Sequence, residues 1–283
     1  MKKSTLLFSM LLAGTVAMAQ SNFASISQIG NNHEALVEQT GLENASTVDI
    51  TGGNGSEIIV DQIGNKNFSS FNGAGSVFGF QYQEGDNNTA TAARFGNGSI
   101  INQIQIGDGN SASADRWTQS SNLIVSQYQE GDNNTAVARR LRGFDVTVID
   151  QTQIGDRNVA LLNPTGSGQY YADGGSVNQY QEGDDNFATI NNISGSLGGL
   201  FIQEQIGNDN SSIIRGGRRT TLAATYQEGD FNNATIEQFD SFNTAEIFQF
   251  GDSNNALIQQ TGEMNVGIIT QHGNGNMATI TQR

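Results

Sequence analysis

The chain has 283 residues, with 35 Gly, one Pro, no Cys and only 36% hydrophobic residues, which is unlike the Leu-rich core of an ordinary enzyme. Asn (32) and Gln (25) supply about a fifth of it, and 28 acidic against 13 basic side chains give a formal net charge of -15. That acidity disfavours nucleic acid and anionic lipid as partners, and the lack of Cys excludes disulfides and thiolate metal sites.

Lys2 and Lys3 precede an apolar stretch from Leu6 to Val16, and Ala17-Met18-Ala19 supplies a small-x-small cleavage pattern. This predicts a secretory signal peptide over 1–19, with the mature chain opening at Gln20. The apolar stretch is too short to span a bilayer and nothing later approaches 18 consecutive apolar residues, so no membrane insertion is expected. Residues 20–27 then form a short segment before a repeat region over 28–283.

The repeat opens on a Gln-x-Gly step, at Gln28 and Gly30, Gln39 and Gly41, Gln62 and Gly64, Gln83 and Gly85, Gln105 and Gly107, Gln129 and Gly131, and Gln153 and Gly155. It continues at Gln181 and Gly183, Gln205 and Gly207, Gln227 and Gly229, Gln249 and Gly251, Gln260 and Gly262, and Gln271 and Gly273. Gln238 starts the same unit with Asp240 in place of Gly. Five residues after the Gln stands an Asn: Asn44, Asn67, Asn88, Asn110, Asn134, Asn158, Asn186, Asn210, Asn232, Asn243, Asn254, Asn265 and Asn276, with His33 the exception. The steps from Gln227 to Gln282 are 11 residues, while the middle recurs at 21 to 24 with one step of 28. Arg94-Phe95-Gly96 and Ile193-Ser194-Gly195 therefore read as weak half-units between strong ones.

Positions five, seven, nine and eleven after each Gln alternate, so in a strand they share one face. They are Asn, then a small residue, then mostly Ile or Val in the terminal units, then the next Gln. That face is expected inside. Gly followed by Asp or Asn makes the corner, because Gly reaches positive φ freely and Asx side chains bond local backbone. The predicted fold is all-β: a β-solenoid of stacked two-strand coils, about 11–12 of them, with amyloid-like cross-β spacing. Stacking places like residues over one another at about 4.8 Å, so the Gln and Asn amides are expected to form ladders. Stretches 70–80, 139–147 and 164–175 are expected as corner loops or degraded strands, with Pro164 outside any ladder.

The strong middle units alternate between Tyr-Gln-Glu-Gly-Asp (from Tyr82, Tyr128, Tyr180 and Tyr226) and Gln-Ile-Gly. The tyrosines fall on the outer face, where cross-strand stacking is the expected role and a row that binds sugars or surfaces the sharper one. The Glu-Gly-Asp corners suit solvated turns, and calcium only if stacking gathers their oxygens. His33 and His272 sit in unrelated units, so no metal site and no cofactor is expected. No Ser-His-Asp order, phosphate loop or zinc signature marks an enzyme. The first unit begins eight residues after the expected cleavage point and the last closes at Gln282, so open, matching edges and head-to-tail growth into a fibre are expected.

The pattern Gln-x-Gly-x-x-Asn-x-Ala-x-x-x-Gln, with Gln249, Gly251, Asn254, Ala256 and Gln260 as a clean copy, resembles the curlin repeat of curli, the bacterial extracellular amyloid of biofilms. The resemblance implies self-assembly into adhesive fibres on the cell surface. It also implies export through the curli-specific outer-membrane channel with accessory chaperones, and a nucleator as partner. The major, fibre-forming subunit is favoured by the clean carboxy-terminal run. A surface-anchored nucleator is the alternative, given Arg139, Arg140, Arg142, Arg215, Arg218 and Arg219. A calcium-binding β-roll or a carbohydrate-active β-helix protein is the alternative from another class.

Overall fold

The computed structural model describes residues 21–116, 123–141, 147–163, 175–191, 199–216 and 222–283. The expected signal peptide, the half-unit at 193–195, Pro164 and most of the stretches 139–147 and 164–175 lie outside these residues.

Among the described residues every regular element is a strand. In chain order they are β1 (Phe23–Asn31), β2 (Glu34–Thr40), β3 (Ala45–Asn54), β4 (Glu57–Ile63), β5 (Phe68–Ala74), β6 (Val77–Glu84), β7 (Thr89–Phe95), β8 (Ser99–Ile106), β9 (Ser111–Arg116), β10 (Leu123–Glu130), β11 (Thr135–Leu141) and β12 (Thr147–Ile154). Then follow β13 (Val159–Asn163), β14 (Ser176–Glu182), β15 (Phe187–Asn191), β16 (Leu200–Ile206), β17 (Ser211–Arg215), β18 (Leu222–Glu228), β19 (Asn233–Gln238), β20 (Thr244–Phe250), β21 (Asn255–Gln260), β22 (Val266–His272) and β23 (Met277–Gln282). Side chains alternate between buried and open along them, as in β10, because one face of each strand meets the core and the other meets water.

Odd strands form a 12-stranded sheet and even strands an 11-stranded sheet, each in chain order. All neighbours pair in parallel, and the chain reaches each next neighbour by passing through the opposite sheet. Two strands make a coil and the coils stack as a β-solenoid, the architecture read from the 11-residue period. Register follows the repeat: Gln83 pairs with Gln105, Gln105 with Gln129, and Gln129 with Gln153. A slip by one residue would turn the whole inner face outward, so the buried pattern fixes this register.

The two kinds of corner differ. From the 11-stranded to the 12-stranded sheet the chain turns in four residues, for example 85–88 and 107–110. Gly85 has φ +111, and a Cβ there would stand 2.2 Å from the carbonyl oxygen of Gly107 on the next coil. Stacking as well as the turn thus demands Gly. The reverse corner tolerates insertions: every undescribed internal stretch falls on that side, between β9 and β10, β11 and β12, β13 and β14, β15 and β16, or β17 and β18.

Two expectations are corrected. The stretch 70–80 is not a loop but parts of β5 and β6 meeting at a short corner. Phe71 points inward and is buried, and its ring fills space that a side chain at Gly79 would need, since a Cβ there would lie 2.3 Å from it. Arg94 does not take the inward place of Gln. It has φ +65 at a bulge, is exposed, and leaves Phe95 buried opposite Gly73. An inward guanidinium without a carboxylate would be far costlier than this bulge.

Candidate functional site: the amide ladders along the stack

Within the 11-stranded sheet, Gln39 Nε2 donates to Gln62 Oε1 at 2.7 Å. The chain of amides continues through Gln83, Gln105, Gln129, Gln153, Gln181, Gln205, Gln227 and Gln249 to Gln271, at 2.7 to 2.9 Å throughout. The second hydrogen of each amide goes to a backbone carbonyl on the opposite sheet, as from Gln105 to Thr89 O at 3.1 Å. Each amide from Gln62 to Gln249 is fully buried. A buried amide left unpaired costs about 1–3 kcal/mol, so the ladder removes a penalty that recurs at every level. In the 12-stranded sheet Gln238 donates to Gln260 at 3.0 Å and Gln260 to Gln282 at 2.8 Å. Gln28 is not brought into a ladder: it is exposed on edge strand β1 and its register neighbour is Ile50.

A second ladder escaped the sequence reading. Gln81, Gln103, Gln127, Gln151, Gln179 and Gln203, each two residues before a repeat Gln, join at 2.7 to 2.8 Å. Small residues opposite make room for them, and Gln127 and Gln151 also donate to the carbonyls of Ala136 and Ala160, both at 3.1 Å. The ladder stops where Thr225 follows Gln203 in register; its hydroxyl bonds the Ser212 hydroxyl at 2.6 Å instead. The recurring Gln-x-Gln was the available signal.

The asparagines work differently from the amide-to-amide ladder expected of them. Asn88 N donates to Asn67 Oδ1 at 2.9 Å, and Asn88 Nδ2 donates to Gly107 O at 2.7 Å. Each Asn side chain therefore clasps the backbone of the next coil, its Oδ1 accepting the next Asn N–H and its Nδ2 donating to the corner Gly carbonyl there, while its own N–H is held by the Asn before it. The same pair of bonds holds for Asn44, Asn67, Asn110, Asn134, Asn158, Asn186, Asn210, Asn232 and Asn254. Direct amide-to-amide bonds between asparagines of this column join Asn254 to Asn232 and Asn276 to Asn254, at 3.1 and 2.9 Å. Asn22, before the first unit, belongs to the same column as acceptor from Asn44 N. On the other corner Asn265 N donates to Asn243 Oδ1 at 2.9 Å, and His33 stands in for Asn by accepting Ser56 N–H on Nδ1 at 3.2 Å.

Corner aspartates form a third column. Asp86 N donates to Asp108 Oδ1, Asp108 N to Asp132 Oδ1, and Asp132 N to Asp156 Oδ1, at 2.7 to 2.8 Å. One oxygen of each carboxylate thus accepts the backbone N–H of the preceding corner. Among the described residues no three His, Cys, Asp or Glu side chains converge as a metal site. Arg157 spans neighbouring corners in a bidentate bond to Asp185, which holds the Asp185 carboxyl below its ordinary range.

The tyrosines do not stack on one another. In register Tyr82 and Tyr128 are separated by Ile104, Tyr128 and Tyr180 by Thr152, and Tyr180 and Tyr226 by Glu204. Each hydroxyl instead donates to the Glu two residues on, at 2.7 to 3.0 Å. That bond, with burial behind it, pushes the Tyr82 and Tyr180 hydroxyls up to about 12.

The clean terminal units and the buried amide columns also carry a relationship outside the chain. The curlin-associated repeat family matches residues 19–52, 243–265 and 258–283. The chain thus carries curlin-associated repeats at both of its ends. The curlin matches fall on its two regular ends, and the structure carries the same coil and the same ladders through the middle, where insertions at one kind of corner interrupt the spacing. No curated protein matches the chain. Curlin repeats and this β-solenoid together fit a curli-like structural subunit of a family that assembles into extracellular fibres.

Proposed function

We propose that this protein is a secreted subunit that adds head to tail to further copies of itself, building a curli-like extracellular fibre for biofilm matrix and adhesion as its major subunit. The observation that carries this reading is the self-similarity of the stack along its axis. At every level a coil offers the next one a Gln amide, an Asn amide and a corner Gly carbonyl, so a strand from a second copy meets the same groups as a strand of the same chain. Among the described residues the outer strands β1, β2, β22 and β23 have one neighbour each and leave those groups open. The curlin repeats supply the rest by kinship: export through the curli outer-membrane channel with its chaperones, and initiation on a nucleator.

Incubating the purified mature chain tests the reading. Fibres with cross-β diffraction that grow faster on added seeds support it, and a blunt particle that never elongates overturns it. Gene deletion in the host separates the two subunit roles. Loss of all polymer means major subunit, while polymer shed into the medium means nucleator.

A further inference from the structure

The two outer faces of the solenoid carry different chemistry. The eleven strands of the even sheet hold 11 Asp and Glu, none of them buried, and no Lys or Arg. The odd sheet holds three acidic residues, Asp49, Asp115 and Glu237, against the exposed Arg94, Arg139 and Arg215. The even face is also the more apolar, with Phe78, Ile100, Val148 and Leu200 exposed along one edge. Further along the strands, past a column that runs from Phe80 through Asn102, Ser126 and Asp150, two columns alternate coil by coil. One reads Tyr82, Ile104, Tyr128, Thr152, Tyr180, Glu204, Tyr226; its neighbour reads Glu84, Ile106, Glu130, Ile154, Glu182, Ile206, Glu228.

The Tyr-Glu pair therefore returns at every second coil, about 9.6 Å along the axis. Each Tyr hydroxyl hydrogen is already given to Glu Oε2, so the pair presents a part-exposed aromatic ring beside an exposed carboxylate. Such a face accepts hydrogen bonds and attracts positive charge, while its rings and isoleucines suit an apolar surface. A second copy of this face would bring carboxylates against carboxylates, and an anionic polymer would be repelled.

We infer that the even face docks a linear, cationic amino-sugar polymer running along the stack. A β-1,4-linked sugar chain turns each ring over relative to the last, so the same face and the same amino group return at every second sugar, as the Tyr-Glu pair returns at every second coil. Ammonium and hydroxyl groups donate to the glutamates, and the C–H faces of the rings lie on tyrosine. The face exists on each single molecule, so the inference does not depend on fibre growth.

Titration of the secreted protein with soluble chitosan oligomers at mildly acidic pH, where their amines are charged, tests it. Saturable binding that strengthens with oligomer length is expected. The Tyr82→Thr, Tyr128→Thr, Tyr180→Thr, Tyr226→Thr variant should bind about tenfold more weakly or worse. Thr152 already occupies this column in β12, so Thr suits the strand. Glu84→Gln, Glu130→Gln, Glu182→Gln and Glu228→Gln together should weaken binding comparably. Should the multiple variants fail to fold, protection of the tyrosines from nitration by bound oligomer in the unmutated protein gives the same answer. The inference is overturned by no saturable binding or no protection, by tighter binding of neutral cello-oligomers, or by a Tyr variant that binds chitosan and polylysine as well as the unmutated chain does.

Discussion

Gln105 Nε2 lies 2.8 Å from Gln129 Oε1 on the next coil while donating at 3.1 Å to Thr89 O on the opposite sheet of its own coil. One amide thus joins successive coils and also ties the two sheets together. The fold depends on this double use, because a narrow core rich in Ala and Gln has little large apolar surface to bury.

Gln129→Leu tests that dependence. It removes the donor to Gln153 Oε1 and to Ser111 O and the acceptor for Gln105 Nε2, so three groups lose a partner. The expected loss is about 2–4 kcal/mol, read as a shift of the urea midpoint of freshly desalted monomer. Gln39→Leu, at the half-exposed start of the same ladder, should cost less than about 1 kcal/mol because water replaces the lost partner. Equal losses at the two positions would show that the ladder contributes nothing beyond side-chain packing.

Gly131→Ala addresses the corners. A Cβ at Gly131 would lie 2.2 Å from Gly155 O, and its φ of +104 is strained for any L residue. Both coils must shift, so a loss above about 3 kcal/mol is expected, together with slowed assembly. Gly55 has φ +72 but nothing within 4 Å of its Cβ position, so Gly55→Ala should lose only about 1 kcal/mol. Similar values for the two would remove coil-to-coil contact as the reason for Gly.

Much of this architecture was legible in sequence because a stacked coil repeats one environment at each level. Gln129 and Asn134 meet the same surroundings as Gln105 and Asn110, and their spacing announces it. What escaped were features that depend on two coils or two sheets at once. The Gln81 to Gln203 ladder exists because small residues, Ala or Ser, at the opposite positions leave room for it, a complementarity invisible along one strand. Phe71 beside Gly79 is the same effect reversed: a large residue and a missing side chain from different units share one space. Arg94 was misplaced because counting assumes one residue per step, and a bulge adds one. The asparagine clasp was mistaken for a side-chain ladder because spacing identifies which residues stack but not whether their partners are amide or backbone.

Asp150 gives a pH-dependent prediction. Burial on the face of β12 raises its carboxyl above the ordinary value, opposed in part by the Thr152 hydroxyl. A folded pKa above the unfolded one means that the ionised group opposes folding at neutral pH, and that the cost is relieved as pH falls through the folded value toward the unfolded one. Asp150→Asn should therefore be slightly more stable than the parent at neutral pH, by a fraction of a kcal/mol, with the difference closing below about pH 4. Urea midpoints measured across that range decide it; a gap that widens on acidification would reverse the sign and refute burial as the cause.

His33 occupies the one repeat position where Asn is missing, and it performs only half of the Asn task. Its Nδ1 accepts Ser56 N–H, whereas Nε2 is buried with no partner. In the equivalent place on the same side of the stack, Asn243 accepts Asn265 N–H through Oδ1 and also donates through Nδ2 to Gly262 O at 2.8 Å. His33→Asn should restore the second bond and relieve the orphaned nitrogen, stabilising the first coils by about 0.5–1.5 kcal/mol. Hydrogen exchange at the Ser56 amide reads the effect locally, and slower exchange in the variant is expected. Faster exchange would mean that the imidazole ring contributes packing at this edge that an Asn side chain cannot replace.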